Sequence, residues 1–132
     1  MAEELLSIRA ELLHIRANQM MDNFSRGEMF VLNYLAVHGG TAYPKDLSKG
    51  MDVSSARIAA VLNQMEKKRW INRTVDTADS RQTVITLTDT GQQEIECRKE
   101  EIVDAVAQML RGIGPEDAKE LLRIERKIMK PR

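Results

Sequence analysis

The sequence has few of the residues on which many enzymes and metal sites depend. Among 132 residues there are one cysteine and two histidines. No HxxxH, CxxC, GxSxG or glycine-rich phosphate loop is present, so the sequence predicts no catalytic residues, no metal and no cofactor. A zinc site built from His14, His38 and Cys97 is disfavoured relative to ordinary packed or surface positions. Because a lone cysteine cannot form an internal disulfide, a reducing, cytoplasmic environment is expected.

Long apolar runs and an excess charge of either sign are also missing. No run approaches the roughly 18 residues that cross a bilayer, and the charged N-terminal segment has no signal-peptide core, so no membrane association is predicted. The chain has 20 basic and 20 acidic residues, which gives no global sign of a nucleic-acid partner. Residues 44–90 carry eight Lys or Arg and six Asp or Glu, a net of +2, and this mild asymmetry decides little by itself.

Helical periodicity organises the two ends of the chain. Apolar residues at helical spacing predict one long helix at about residues 3–22. Ser25 and Glu28 have the spacing of a capping box, which predicts a second helix that ends at Gly39-Gly40. The last part, about 89–130, contains two more amphipathic helices separated at Gly114-Pro115. A chain of this length suits a single domain, residues 1–132.

The middle of the chain has the pattern of a helix-turn-helix. Pro44 suits the first turn of a short helix, and a long helix, about Ser54 to Lys68, follows after a turn in which Asp52 is expected to have a positive φ. On a helical wheel the apolar residues of the long helix lie on one arc, and the opposite arc is small or polar. The outward arc holds Ala56, Ala60, Asn63 and Lys67. Small residues allow close approach of a bulky partner; the alternative is that the alanines only favour the helix.

Two alternating, β-branched segments follow, Ile71–Val75 and Thr83–Leu87, with a polar loop between them. They predict a hairpin, which after a helix-turn-helix is a wing. In such a fold the start of the second helix can read base edges in the major groove, and Arg81 at the hairpin tip can enter a narrow minor groove. The alternative for Arg81 is a solvated residue in a loop that only turns.

The segment around these elements resembles the MarR family of winged-helix transcription regulators. The wing signature D-x-R followed by L-T-x-x-G is matched by Asp79, Arg81, Leu87, Thr88 and Gly91. Upstream, the family's L-x-x-x-L-x-V-S pattern is matched by Leu47, Met51, Val53 and Ser54, and its E-K-K pattern by residues 66–68. The chain departs from the family at Arg69, Asp52 and Ala60, which stand where relatives commonly have glycine, glycine and a basic residue.

The resemblance implies a mainly α fold with a small β-hairpin wing. It implies a DNA-binding lobe at about 41–90 and a homodimer in which the helices at about 3–22 and 89–130 interdigitate. It also implies that Asp79 braces the wing while Arg81 contacts the minor groove. Family members often respond to a small-molecule effector, so one is expected here as well.

The sequence therefore predicts a dimeric, sequence-specific regulator of transcription, a repressor, that binds double-stranded DNA. The predicted DNA-binding residues are Ser54, Ser55, Ala56, Arg57, Ala60, Asn63, Lys67, Arg73, Asp79 and Arg81, with Lys45 and Lys68 as further phosphate contacts. The alternative is a dimeric winged-helix module that binds proteins and not DNA. The zero net charge and the alanine-rich outward face support that alternative.

Overall fold

A computed structural model of the chain describes residues 1–130 and contains seven helices and a three-stranded sheet within that range. The elements are α1 (Ala2–Leu12), α2 (Arg16–Phe24), α3 (Gly27–Val37), β1 (Thr41–Ala42), α4 (Pro44–Met51), α5 (Ser55–Lys67), β2 (Ile71–Val75), β3 (Thr83–Leu87), α6 (Asp89–Ile113) and α7 (Pro115–Met129). The predicted fold class, mainly α with a small β-hairpin wing, is confirmed.

The chain divides into two compact units. One is continuous and covers Met20–Lys99, and the other combines Met1–Gln19 with the chain from Glu100 onward. The segment 41–90, predicted as the DNA-binding lobe, lies inside the continuous unit, which also contains α3. The continuous unit is called the winged-helix unit below, and the other is called the terminal unit.

The winged-helix unit is organised around a single apolar core. Helices α3, α4 and α5 supply most of it, and each strand of the β2–β3 hairpin adds one isoleucine. The buried residues are Val31, Leu32, Leu35, Leu47, Ile58, Leu62, Met65, Ile71, Ile85 and Ile95. The inward positions of α5 recur at spacings of three and four, as the helical wheel predicts. Its opposite face is therefore left exposed.

The turn of the helix-turn-helix depends on one residue with a positive φ. Helix α4 ends at Asp52, whose φ is 54°, as the sequence predicts. The backbone N–H of Val53 donates to the carbonyl of Ser48 across this turn, which satisfies a carbonyl at the helix end. Ser54 then caps α5, and its side chain accepts a hydrogen bond from the N–H of Arg57. The turn thus supplies hydrogen-bond partners both to the carboxyl end of α4 and to the amino end of α5.

Helix α5 ends in the same way, but at an arginine. Arg69 has a φ of 62°, so it adopts the left-handed conformation that glycine adopts without strain. The N–H of Arg69 donates to Glu66, and the N–H of Trp70 donates to Met65, the pair of bonds that defines a Schellman cap. The helix therefore ends where a glycine would end it, and the arginine carries the conformational cost of a positive φ.

The L-T-x-x-G motif joins the end of α5 to the start of α6. The hydroxyl of Thr88 donates to the carbonyl of Arg69 at 2.6 Å and accepts from the N–H of Gly91 at 3.0 Å. Gly91 is buried, and a Cβ at this position would overlap the carbonyl oxygen of Trp70 and the side chain of Leu87. Thr88 and Gly91 therefore fix the chain geometrically at this junction.

The sheet has the order β1-β3-β2, and all its pairs are antiparallel. The hairpin register pairs Arg73 with Ile85 and Val75 with Thr83. Strand β1 was not predicted. It has only two residues, too few for an alternating pattern, and it forms because Thr41 and Ala42 lie beside the edge of β3.

Two predictions about the N-terminal region were wrong. The expected helix 3–22 is two helices, because the N–H groups of His14 and Ile15 bond three residues back and the side chain of Asn18 donates to the carbonyl of Leu12. The apolar spacing continues through this break, so periodicity does not reveal it. Ser25 is not a helix cap: its hydroxyl donates to the carbonyl of Asp22, and α3 starts after Arg26 without a side-chain cap.

The terminal unit leaves much apolar surface uncovered. Helices α1 and α7 contain no buried residue. Their large exposed side chains are Leu5, Leu6, Ile8, Leu121, Leu122, Ile124, Ile128 and Met129. Across the described residues 1–130, no helix is both long enough and apolar enough to cross a bilayer.

Gly91→Ala is predicted to destabilise the protein by about 1–3 kcal/mol, because the new methyl group must displace backbone at Trp70. Urea denaturation followed by circular dichroism measures this. Gly112→Ala is the matched control, since a Cβ there meets no atom within 4 Å and alanine favours a helix. Equal stability of Gly91→Ala and the wild type would contradict the overlap.

Arg69→Gly is predicted to stabilise the protein by about 1 kcal/mol, because glycine removes the strain of the left-handed conformation. Arg69→Ala keeps that conformation and removes the charged side chain, so it separates the two effects. Thermal unfolding of both variants provides the measurement. A gain in stability that is the same for alanine and glycine would assign the effect to the side chain and not to φ.

Candidate nucleic-acid interface

The exposed face of α5 contains most of the residues predicted to bind DNA. Ser54, at the cap, and Ser55, Ala56 and Arg57, in the first turn, are all exposed. Further along the same helix, Ala60, Asn63 and Lys67 are exposed as well. The first turn therefore presents two hydroxyls, a methyl group and a guanidinium beside the positive end of the helix dipole.

Arg73 lies against this helix and is not free. Its Nη2 donates to Oδ1 of Asn63 at 2.6 Å, and its Nε lies 3.9 Å from Oε1 of Glu66. Nε is buried and has no hydrogen-bond partner within residues 1–130. The sequence predicts a phosphate contact for Arg73, but in the structure the side chain links β2 to α5. Asn63 likewise has its oxygen engaged within the protein.

Lys68 is also engaged within the unit. Its Nζ lies 2.7 Å from Oε2 of Glu28 and 4.5 Å from the centre of the Trp70 ring. Glu28, expected to complete a capping box with Ser25, instead bonds this lysine. In contrast, the side-chain nitrogens of Lys45, Lys67 and Arg57 have no hydrogen bond or ion pair within the described chain. The Nζ of Lys45 lies 5.8 Å from the centre of the Tyr43 ring.

Two aspartates shape the loop of the wing. Oδ1 of Asp76 accepts from the N–H of Ala78 at 3.1 Å, and Oδ1 of Asp79 accepts from the N–H of Arg81 at 3.0 Å. Each aspartate thus bonds the backbone two residues ahead, a geometry that stabilises tight turns. The N–H of Asp76 also donates to the carbonyl of Gln82 at 2.9 Å, which closes the loop.

Arg81 projects from this loop into solvent. Its side chain is 89 % exposed, and its Nε donates to Oδ1 of Asp79 at 3.2 Å. The backbone N–H of Arg81, followed by its side-chain N–H, lowers the pKa of Asp79 below its ordinary value. The carboxylate therefore stays ionised at neutral pH and orients the guanidinium, while both terminal nitrogens stay unbonded within residues 1–130.

The base of the wing has a bond that the sequence did not predict. The hydroxyl of Tyr43 donates to Oδ2 of Asp76 at 2.7 Å, between residues 33 positions apart. This bond raises the pKa of Tyr43, so the phenol remains a donor at neutral pH. The sequence gives a signal only for the local bonds, because an aspartate in a turn commonly accepts from the N–H two residues ahead, as Asp76 and Asp79 do. No local pattern links either aspartate to Tyr43.

Two cavities lie beside these residues. One, of about 260 Å³, is mainly apolar and lies between α4, α5 and the hairpin, with Ala59, Arg73 and Ile85 in its lining. The other, of about 440 Å³, lies under the base of the wing beside Tyr43, Asp46 and Asp76. Both cavities lie within the winged-helix unit, and the first borders α5 at Ala59.

All ten predicted residues lie in the winged-helix unit, on α5, its cap or the hairpin. A helix is about 10–12 Å wide, and the major groove of B-DNA is about 12 Å wide. The uncovered face of α5 can therefore enter that groove without rearrangement of the core. The first turn of α5 and the wing tip expose hydroxyls, a methyl group and the guanidinium groups of Arg57 and Arg81.

Comparison with solved structures places the chain among winged-helix proteins. YusO of Bacillus subtilis is 24 % identical with a TM-score of 0.77, and the alignment covers 97 % of this chain and 93 % of YusO. A variant of MepR from S. aureus, bound to an oligodeoxyribonucleotide, is 23 % identical with a TM-score of 0.64, and the alignment covers 98 % of this chain and 95 % of MepR. The winged-helix fold predicted from the MarR-like motifs is confirmed.

Sequence comparison gives the family. YdgJ of Bacillus subtilis (strain 168), an uncharacterized HTH-type transcriptional regulator, is 32 % identical over 98 residues, which is 74 % of this chain and 58 % of YdgJ. The chain thus spans less than two thirds of that relative. The family described as transcriptional regulator SarA/Rot matches residues 17–98, more than half of the chain. The chain therefore belongs to the SarA/Rot family of transcriptional regulators.

Proposed function

We propose that the protein binds double-stranded DNA sequence-specifically as a homodimer and represses transcription. The observation that carries this proposal is the pairing, within one compact unit, of an uncovered helix face and a braced, solvent-exposed arginine. The face is that of α5, and the arginine is Arg81, 89 % exposed at the wing tip.

The first turn of α5 is the proposed reader of the major groove. Hydroxyls of Ser54 and Ser55 can bond phosphates or base edges, and the methyl group of Ala56 can contact a thymine methyl. Arg57 has its side chain free to bond a guanine or a phosphate. Ala60, one turn on, is small enough to keep the backbone of α5 close to the bases.

The wing is the proposed reader of the minor groove. A narrow, A·T-rich minor groove has an enhanced negative potential that attracts arginine. Asp79 holds Nε of Arg81 at 3.2 Å, so the guanidinium loses less freedom when it enters the groove. Lys45 and Lys67 are proposed as phosphate contacts. Arg73 and Lys68 are proposed to act indirectly, because each supports α5 through a bond within the protein.

The homodimer is proposed from the terminal unit. Side chains such as Leu6 and Ile128 are 73 % and 70 % exposed in the single chain. Monomeric proteins rarely leave so many large apolar residues together on the surface, and such surface is typical of a protein interface. The helices at about 3–22 and 89–130 are therefore proposed as the dimerisation region, with about 41–90 as the DNA-binding lobe of a single-domain protein.

Three further parts of the proposal follow from the family and the sequence. The protein is proposed to act in the cytoplasm, to have no enzymatic activity, and to respond to a small-molecule effector. The apolar cavity behind α5 supports the effector, because a ligand there would contact Ala59 on the helix that is proposed to read DNA. The experiment below distinguishes DNA binding from the alternative, a winged-helix module that binds only proteins.

DNA fragments enriched by the protein from a random pool are expected to bind with an affinity that falls steeply with salt, because phosphate contacts release counterions. Arg81→Ala is predicted to weaken this binding by roughly tenfold or more, which corresponds to about 1.4 kcal/mol. Fluorescence anisotropy at several salt concentrations measures both effects. Arg26→Ala is the matched control, because Arg26 is an exposed arginine paired with Asp22 away from the wing.

Two outcomes would count against the proposal. If no fragment is enriched and binding does not depend on salt, the protein-interaction module is the better description. If DNA is bound but Arg81→Ala and Arg26→Ala behave alike, the wing has no role and Arg81 is only a solvated loop residue.

The chain is predicted to sediment at twice its 15.0 kDa mass. Leu122→Glu is predicted to shift it toward the monomer, because Leu122 is 45 % exposed on α7 and a buried carboxylate would disrupt an apolar interface. Lys119→Glu, on the same helix, is the control for added negative charge. A monomeric wild type, or equal effects of the two variants, would refute the proposed interface.

A further inference from the structure

The wing is joined to the helix-turn-helix by a side-chain bond at its base. Tyr43 follows strand β1 and stands directly before α4, while Asp76 follows the last residue of β2 and begins the wing loop. The hydroxyl of Tyr43 donates to Oδ2 of Asp76 at 2.7 Å. One end of this bond therefore lies at the start of the helix-turn-helix, and the other lies where the loop leaves the sheet.

Asp76 connects that bond to the wing tip. Its second carboxylate oxygen accepts from the N–H of Ala78 at 3.1 Å, and its own N–H donates to the carbonyl of Gln82 at 2.9 Å. The carbonyl of Asp79 accepts from the N–H of Gln82 at 3.0 Å. A continuous set of hydrogen bonds therefore runs from Tyr43, through Asp76 and Gln82, to the residue that braces Arg81.

The inner end of the wing is supported by Arg73, which bonds Asn63 of α5, and by β1, which pairs with Ile85 and Thr86, but the outer end of the wing lies beyond these contacts. Strand β2 pairs only with β3, Val75 at its end is 62 % exposed, and the loop residues Thr77 and Ala78 are exposed. Beyond Ile85 the wing has only the paired strands β2 and β3, and two strands without further packing are only marginally ordered in water. The bond to Tyr43 therefore removes a motion that the backbone pairing alone permits.

We propose that Tyr43 and Asp76 are positioning residues that set the direction of the wing and so preorganise Arg81 for the minor groove. This inference rests on the proposed function. Neither residue needs to touch DNA. Their bond fixes the wing tip relative to α4 and α5, so that the major-groove and minor-groove contacts are made together without ordering the loop at the moment of binding.

The charge around the bond is consistent with this role. Asp76, followed by Asp46 and Asp79 at a greater distance, favours the protonated phenol of Tyr43. The phenol therefore stays a donor throughout the neutral range.

The test is a double-mutant cycle on DNA affinity. Tyr43→Phe removes only the hydroxyl and is predicted to weaken binding by roughly 3- to 10-fold, the loss expected for one such bond. In an Arg81→Ala background the same change is predicted to have almost no effect, because there is no arginine left to position. Tyr34→Phe is the matched control, since the hydroxyl of Tyr34 makes no hydrogen bond in the described chain.

A second measurement does not depend on DNA. Hydrogen exchange of the peptide covering residues 76–83 is expected to accelerate in Tyr43→Phe and to stay unchanged in Tyr34→Phe. Unchanged exchange in Tyr43→Phe would overturn the inference, because the wing would then be ordered without the bond. A loss of affinity that is the same with and without Arg81 would also overturn it, since that pattern describes general structural damage.

The two proposals fail differently. If the wild type binds DNA and Arg81→Ala weakens it, but Tyr43→Phe does not couple to Arg81, only the positioning role fails. If the wild type binds no DNA, the proposed function fails, and with it the role of the bond in DNA binding. Unfolding temperatures of all variants, compared with the wild type, show whether each affinity is measured on a folded protein.

Discussion

The junction between Trp70 and Gly91 is the constraint on which the rest of the winged-helix unit depends. The carbonyl of Trp70 occupies the space where any other residue at 91 would place its Cβ, and Thr88 bonds both sides of the contact. This contact fixes where α5 ends and where α6 begins. The hairpin runs between these two points, so its base is fixed as well. The L-T-x-x-G motif is thus a folding element, and it orients the helix and the wing proposed to bind DNA.

The basic residues of the unit divide into two groups. Arg73 bonds Asn63 and Lys68 bonds Glu28, so both charges hold α5 against its neighbours. Arg57, Lys67 and Arg81 project outward. A count of charges along the sequence cannot separate these groups, because the difference lies in which carboxylate or amide the fold places nearby. Arg73 is predicted from the sequence to contact phosphate, and the bond of its Nη2 to Asn63 is visible only in the fold.

Features set by local chemistry were predicted well from the sequence. Asp52 follows a short helix and precedes a serine cap, so its positive φ could be anticipated, and the departure at Arg69 was visible against the expected glycine. These predictions succeed because the determining atoms lie within a few residues of one another. The prediction of which α5 residues face inward also succeeds, because helical periodicity indicates burial directly.

Features set by distant contacts could not be predicted in the same way. Strand β1 exists because Thr41 and Ala42 lie beside β3, and Tyr43 bonds a residue 33 positions away. The break between α1 and α2 leaves the apolar spacing intact. The spacing of Ser25 and Glu28 suits a capping box, but in the structure Glu28 instead forms an ion pair with Lys68 at the end of α5. In each case a tertiary partner decided between alternatives that the local sequence allowed equally.

The zero net charge of the chain has a physical consequence for the proposed function. Non-specific DNA binding depends mainly on the number of phosphates that cations neutralise, and here several cations are engaged within the protein. Apart from Lys68 and Arg73, segment 44–90 has six basic residues and six acidic ones, so close fit in the grooves must supply a larger share of the binding free energy. Preorganisation then matters more, because each degree of freedom lost on binding subtracts from a small electrostatic gain. In a neutral chain, a wing held in place by the bond between Tyr43 and Asp76 would therefore contribute to discrimination among sites.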